Sequence, residues 1–223
     1  MKLWTDYFNN NNSGYVVYNS FATLGLLKWL PDKEGIRILE IGGGTGSASI
    51  FFLKELSKRG LVKKIEEYFF TDISPILLRV GNKAFMEEFP DIQMIQLKTL
   101  DFNKSFSSQG IKPDSFDIIY GVNSLHAAKD LISSIGYIYS ALKPGGSIIL
   151  SECVRPRENG LLFQELIFNL LDNYCDTGLS ELRPMPGFLD VKSWKSIFNK
   201  TKFKNIELLS NVDSHKKRNS FCH

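Results

Sequence analysis

The chain has 223 residues, 43% apolar and 23% charged, which suits one α/β domain with a full core and leaves too little for two. A formal net charge of +3 is too small to indicate nucleic acid, and no apolar run is long enough to span a membrane. Cys153, Cys175 and Cys222 lie far apart with no Cys/His cluster, so neither a metal site nor a disulfide framework is expected, and a reducing, cytoplasmic setting fits best.

Met1 to Asn12 lacks the apolar core of a signal peptide. Asn9 to Gly14 is a polar, turn-rich break. Tyr15 to Leu30 then repeats apolar residues at helical spacing until Pro31 stops it. Ile36 to Ile41 is a strand and Ser47 to Lys58 a helix. Tyr68 to Thr71 is a second strand ending at Asp72, and Ser74-Pro75 opens a helix that runs towards Phe89. Ile92 to Leu97 and Phe116 to Tyr120 are strands three and four. A helix from Asp130 to Leu142 is stopped by Lys143-Pro144-Gly145-Gly146, and Ser147 to Ser151 is strand five. Beyond it come helices at Leu161 to Tyr174 and Ser193 to Asn199 and a late strand at Ile206 to Leu209. The alternation predicts a parallel sheet with helices on both faces. The basic run Lys216-Lys217-Arg218 reads as a solvated tail, and His215 and His223 within that tail receive no role.

The segment from Ile36 to Gly46, I-R-I-L-E-I-G-G-G-T-G, is a strand that ends in glycines and restarts as a helix. Bare backbone there admits a nucleotide-like cofactor at the carboxyl end of a parallel sheet. The dinucleotide pattern G-x-G-x-x-G fails, because its third glycine falls on Ser47, and the lysine of a phosphate-binding P-loop is absent.

The spacing E-x-G-x-G-x-G, with Glu40, Gly42, Gly43, Gly44 and Gly46, resembles the class I S-adenosylmethionine methyltransferases. Further landmarks follow in order: Asp72-Ile73 after the second strand, Asp101-Phe102 after the third, F-D-I-I-Y-G-V-N-S-L-H from Phe116 to His126, and L-K-P-G-G from Leu142 to Gly146. The resemblance implies a Rossmann-like, seven-stranded, mostly parallel sheet of order 3-2-1-4-5-7-6. It implies that Glu40, the four glycines, Asp72, Ile73, Asp101, Phe102 and Asn123 bind S-adenosyl-L-methionine, with Asp72 on the ribose and Asp101-Phe102 at the adenine. Each has a structural alternative. Glu40 could serve its own loop, Asp72 could cap a strand end, Asp101 could be a turn residue, and Asn123 could satisfy backbone.

A finer similarity, carried by Y-F-F-T-D-I-S-P (68 to 75), Q-G-I-K-P-D-S-F-D (109 to 117), N-S-L-H-A-A-K-D-L (123 to 131), Ser151-Glu152 and, in outline, Tyr7 to Phe21, is to polyketide synthase C-methyltransferase domains. It implies a catalytic dyad of His126 and Glu152, an acyl substrate on a carrier protein, and an acyl carrier protein or larger synthase as partner. Carbon becomes a nucleophile only after a base titrating near neutrality removes its proton, and a carboxylate on the other ring nitrogen would orient the imidazole. Residues 1–35 are expected as a helical partial lid and 36–223 as the methyltransferase domain. Segment 153–190, rich in apolar residues, would roof the acceptor. Tyr7 and Tyr15 are read as helix packing more than as site residues. Only about 35 residues precede the glycine motif, and Asn219 to His223 alone remain for a last strand, so part of the lid is expected to be missing or on another chain. The alternatives are O- or N-methylation of a small molecule and a non-catalytic scaffold.

Overall fold

The computed structural model describes residues 15–156, 162–170 and 174–209. Tyr7, Asn9–Gly14, His215, Lys216–Arg218, Cys222 and the expected strand at Asn219–His223 lie outside the described residues. The elements are α1 (Tyr15–Trp29), β1 (Ile36–Ile41), α2 (Ser47–Lys58), β2 (Ile65–Asp72), α3 (Pro75–Glu88), β3 (Ile95–Thr99), β4 (Phe116–Val122), α4 (Leu131–Ala141), β5 (Leu142–Ser151), β6 (Val154–Arg155), α5 (Phe163–Phe168), β7 (Leu189–Asp190) and α6 (Val191–Asn199).

Strands β1 to β5 form one parallel sheet, order β3-β2-β1-β4-β5. This agrees with the first five places of the expected order. Of the seven strands expected, the sheet holds five among the described residues, and β6 and β7 pair only with each other. Ile206–Leu209 forms no strand; its side chains stay exposed, so no sheet face buries them. The order of strand addition reverses between β1 and β4. A crevice therefore opens at their carboxyl ends, where α/β sheets take ligands.

Alternate residues of the central strands face opposite layers. Leu39, Ile41 and Ile119 pack with Leu131, Ile135 and Ile138 of α4 and Trp194 and Ile197 of α6. Ile36, Ile38, Ile118 and Tyr120 pack with Leu26 of α1, Phe52, Leu53 and Leu56 of α2, and Leu78 and Phe85 of α3. Each fully buried Leu or Ile contributes about 1.5–3 kcal/mol against exposure.

Local chemistry sets the element starts. Ser74 Oγ accepts the Leu77 amide at 3.4 Å with Pro75 at the first helical position. Asp130 accepts the amides of Ile132 and Ser133 at 3.0 and 3.2 Å, and Asp190 that of Ser193 at 2.7 Å. Strand β5 starts five residues before its expected start at Ser147: Leu142 already pairs with Phe116, and the register shifts before Ile118 meets Ser147. Pro144-Gly145-Gly146 thus stands as an irregularity within the strand rather than as a turn before it. Helix α5 is six residues long, against the fourteen-residue helix expected from Leu161 to Tyr174.

Candidate active site at the carboxyl ends of the strands

The glycine loop leaves β1 at Ile41 and is bonded to the end of β2. The Gly43 amide donates to Thr71 O at 2.8 Å, the Gly44 amide to Asp72 Oδ2 at 3.0 Å, and the Gly46 amide to Gly43 O at 3.0 Å. Gly42, Gly44 and Gly46 have φ of 63°, 59° and 84°, a region that favours glycine. Asp72 is buried, and its Oδ1 accepts the Ser74 amide at 2.8 Å. Burial raises its carboxyl above the ordinary range, against the opposing Ser74, Gly44 and Ile73 amides. Three amides on four lone pairs leave an accepting position for a hydroxyl donor. Ile73 beside it is exposed.

Asp101 closes the loop after β3. Burial would raise its carboxyl, but the Asn103 amide at 2.9 Å and the Lys104 ammonium at 3.2 Å hold it below the usual range. Gln109 braces the loop by accepting the Asp101 amide at 2.8 Å and donating to its carbonyl at 2.9 Å. Phe102 packs half-buried against the core. The segment 109–117 carries part of the resemblance, but the sequence assigns Gln109 no role, because its partners are backbone groups up to eight residues away.

Glu40 is placed differently from the expectation of cofactor contact. It is buried, and its carboxyl accepts the Tyr68 hydroxyl at 2.6 Å and the Ser49 hydroxyl; the Tyr68 and Tyr120 hydroxyls bond each other. Its backbone carbonyl accepts Thr71 Oγ1 at 2.5 Å. Burial pushes the carboxyl up to about 7, with the Ser49, Tyr68 and Tyr120 hydroxyls opposing. The folded state therefore holds this proton across a range, from about 4.5 to about 7, in which an unfolded glutamate loses it. Stability attributable to Glu40 is complete below that window and declines as pH rises through it. Denaturant melts of Glu40→Gln should lack that decline, a difference on the order of 3 kcal/mol between the ends of the window. Parallel pH profiles for both proteins would exclude a raised Glu40.

The opposite wall comes from β4 and β5. Asn123 adopts φ 46°; its amide donates to Ser151 O at 2.9 Å and its Oδ1 accepts the Cys153 amide at 2.6 Å. The side-chain oxygen thus ties the ends of the two strands together, the backbone-satisfying reading that the sequence leaves open. The short helical turn Leu125–Ala127 follows. Glu152 Oε1 accepts the Ser124 and Leu125 amides at 3.1 and 2.8 Å, and Oε2 lies 2.8 Å from His126 Nδ1. Both side chains are 4% exposed. Two amides on one oxygen and the imidazole on the other fix the carboxylate's orientation, and Nδ1–H donating to it leaves Nε2 as the basic nitrogen.

Three aromatic rings crowd His126: Phe188 at 4.4 Å, Tyr174 at 6.0 Å and Phe168 at 6.3 Å between centroids. Tyr15 and Cys153 belong to the same cluster. Tyr15 is thus in the layer over the histidine rather than only in helix packing. Helix α1 is pinned there by Ser151 Oγ donating to Tyr18 O at 2.8 Å and Tyr18 OH to Cys153 Sγ at 3.0 Å. A buried Arg155–Glu165 ion pair joins β6 to α5, and Arg155 also donates to Pro186 O at 2.8 Å. Among the described residues no three metal-ligating side chains converge, and no helix is long and apolar enough to cross a membrane.

A family model described as a methyltransferase domain matches residues 39–148, the span from the glycine loop into β5. The chain is a methyltransferase domain of the class I fold. This methyltransferase domain is 34% identical over 172 residues to a polyketide synthase-nonribosomal peptide synthetase of Aspergillus clavatus, covering 77% of the chain and 4% of the relative. It is 32% identical over 200 residues to a probable polyketide synthase 10 of Dictyostelium discoideum, covering 87% of the chain and 8% of the relative. The chain thus spans under a tenth of these synthases. The crystal structure of the DszA carbon methyltransferase superposes with a TM-score of 0.77 at 28% identity, covering 94% of this chain and 53% of that one. The CurJ carbon methyltransferase superposes with a TM-score of 0.73 at 28% identity, over 95% and 55%.

Proposed function

We propose that this methyltransferase domain uses S-adenosyl-L-methionine to methylate the α-carbon of a β-ketoacyl thioester borne by a carrier protein. The observation that carries the reading is the buried His126 Nδ1–Glu152 Oε2 contact of 2.8 Å, built at the ends of adjacent strands. Such a pair is a general base with its orienting carboxylate, and removing a proton from carbon demands one.

The loop suits the cofactor. The space beside Gly44 is open where a side chain would stand, and Asp72 keeps an accepting position for a ribose hydroxyl. Residues 42–46 and Asp72 would hold it, with Ile73, Asp101 and Phe102 about the adenine; Glu40 and Asn123 would act by shaping the backbone beneath. Bound there, S-adenosyl-L-methionine supplies a methyl group already activated by a sulfonium. His126 Nε2 takes the acceptor's α-proton, leaving the electron pair on a carbon flanked by two carbonyls. Glu152 stabilises the resulting imidazolium. Phe168, Tyr174 and Phe188 form an apolar layer suited to an acyl chain. The relatives' description as polyketide synthases, and the carbon methyltransferase neighbours, support this acceptor.

The test is mass spectrometry of β-ketothioesters, free and carrier-bound, after incubation with protein and cofactor. One methyl gained on the α-carbon is expected. Methylation of phenols or amines alone would replace carbon with oxygen or nitrogen as the acceptor atom. Absence of calorimetric heat with S-adenosyl-L-methionine would favour a non-catalytic scaffold.

A further inference from the structure

Arg183 lies in the segment between α5 and β7 and is 2% exposed. Its guanidinium donates to the carbonyl oxygens of His126 and Ala128, and at 3.3 Å to that of Gly187. It makes no ion pair among those found for the described residues, and its Nε–H has no hydrogen-bond partner. A buried cation with no direct ion pair is costly: burial lowers this guanidinium to about 10, against the attraction of Glu152.

The turn Leu125–Ala127 is thus gripped from two sides. Glu152 takes the amides entering it, and Arg183 takes carbonyls of His126 and Ala128 leaving it. Together they leave the His126 ring little freedom, and a planar fork with several donors is the side chain suited to bridging successive carbonyls. We infer that Arg183 is a positioning residue: it fastens the base-bearing turn to the roof segment. This rests on the reading of His126 as the base. The groups that act on Arg183 are Glu152 at the end of β5, Tyr174, and Arg155 of β6, itself paired with Glu165 of α5. Asp190, and Lys129 with Asp130, line the clefts on either side of it. Arg183 contacts the base-bearing turn directly through its carbonyls.

Losing the fork should misplace the imidazole without touching the cofactor's seat. Two variants grade the loss. Arg183→Lys keeps a single donor arm; Arg183→Met keeps none. Each is measured for S-adenosyl-L-homocysteine affinity by calorimetry and for kcat and KM with a β-ketothioester. Both should bind S-adenosyl-L-homocysteine within a few-fold of the unaltered protein. Arg183→Met should lose about ten- to a hundred-fold in kcat with KM little changed, as misplacement of a reacting group does, and Arg183→Lys should lose less. Retained kcat in Arg183→Met overturns the inference. So does loss of S-adenosyl-L-homocysteine binding in both variants, which would make Arg183 a support of the whole fold. His126→Ala, run alongside, separates the two failures. If it stays active, the base assignment falls; if it is inactive while Arg183→Met is not, only the role of Arg183 falls.

Discussion

Replacing His126 by alanine should abolish methyl transfer while leaving S-adenosyl-L-methionine affinity within a few-fold. A positioned general base is worth about 10²–10⁴ in rate, and an α-proton does not leave at an appreciable rate without one. The binding prediction follows from what the side chain does not touch. The glycine loop meets the base-bearing turn through Ser124, whose Oγ donates to Ile41 O at 3.0 Å, and that bond survives. Glu152 keeps both amides on Oε1, so the turn retains its shape. Its Oε2 is left buried without its partner, at a cost of about 1–3 kcal/mol, which a melting curve would register. Rapid-quench turnover with mass spectrometry and calorimetry with the cofactor read the two halves separately. Loss of cofactor affinity with the histidine would move His126 into the cofactor site and away from proton transfer.

Gly43→Ala should weaken cofactor binding by about a hundred-fold or more, roughly 2.7 kcal/mol. A Cβ at this position would lie 2.1 Å from Phe70 Cε2, with two further ring atoms inside 3 Å. The ring has nowhere to go. Phe70 is fully buried, stacks edge-on against Phe85 at 4.9 Å, and is also backed by Gly81 of α3. The loop must therefore lift, breaking the Gly43–Thr71 and Gly44–Asp72 bonds that set its shape. Overpacking of this kind also costs about 1–3 kcal/mol of stability. Gly44→Ala is the control: its Cβ would meet open space, so it keeps the Phe70 packing and pays only for φ of 59°. Titration of both variants with S-adenosyl-L-homocysteine decides the matter. Unaltered binding by Gly43→Ala would mean that the loop is not the cofactor's seat.

The parts of this molecule that could be read along the chain are those whose cause is local. Ile36–Ile41 and Ser47–Lys58 are bounded as expected because glycines and a helical apolar repeat leave no competing pattern. Ser74-Pro75 opens α3 for the same kind of reason. Errors arise where tertiary pairing overrides a local signal. Lys143-Pro144-Gly145-Gly146 has turn chemistry, yet the pairing of Leu142 with Phe116 draws it into β5. Ile206–Leu209 has strand composition and no partner strand. Among the site residues, the His126–Glu152 contact was foreseeable because both stand at the ends of adjacent strands. The surroundings of Glu40 were not, since its hydroxyl donors come from α2 and β2, with the Tyr120 hydroxyl of β4 bonded to that of Tyr68. Asn123 carried two readings in sequence, and its bond to the Cys153 amide, which only the fold brings near, favours the backbone role. Arg183 was invisible: it stands in a proline- and glycine-rich stretch with no periodicity, and its partners are carbonyls far away in the chain.

One contact ties the glycine loop to the turn that bears His126. A Cβ on Gly42 would stand 2.6 Å from Ser124 Cβ, so the loop after β1 lies directly against the residue that opens that turn. A methyl added there would press on the turn and the loop together. If the two serve binding and proton removal as proposed, Gly42→Ala is expected to disturb both at once.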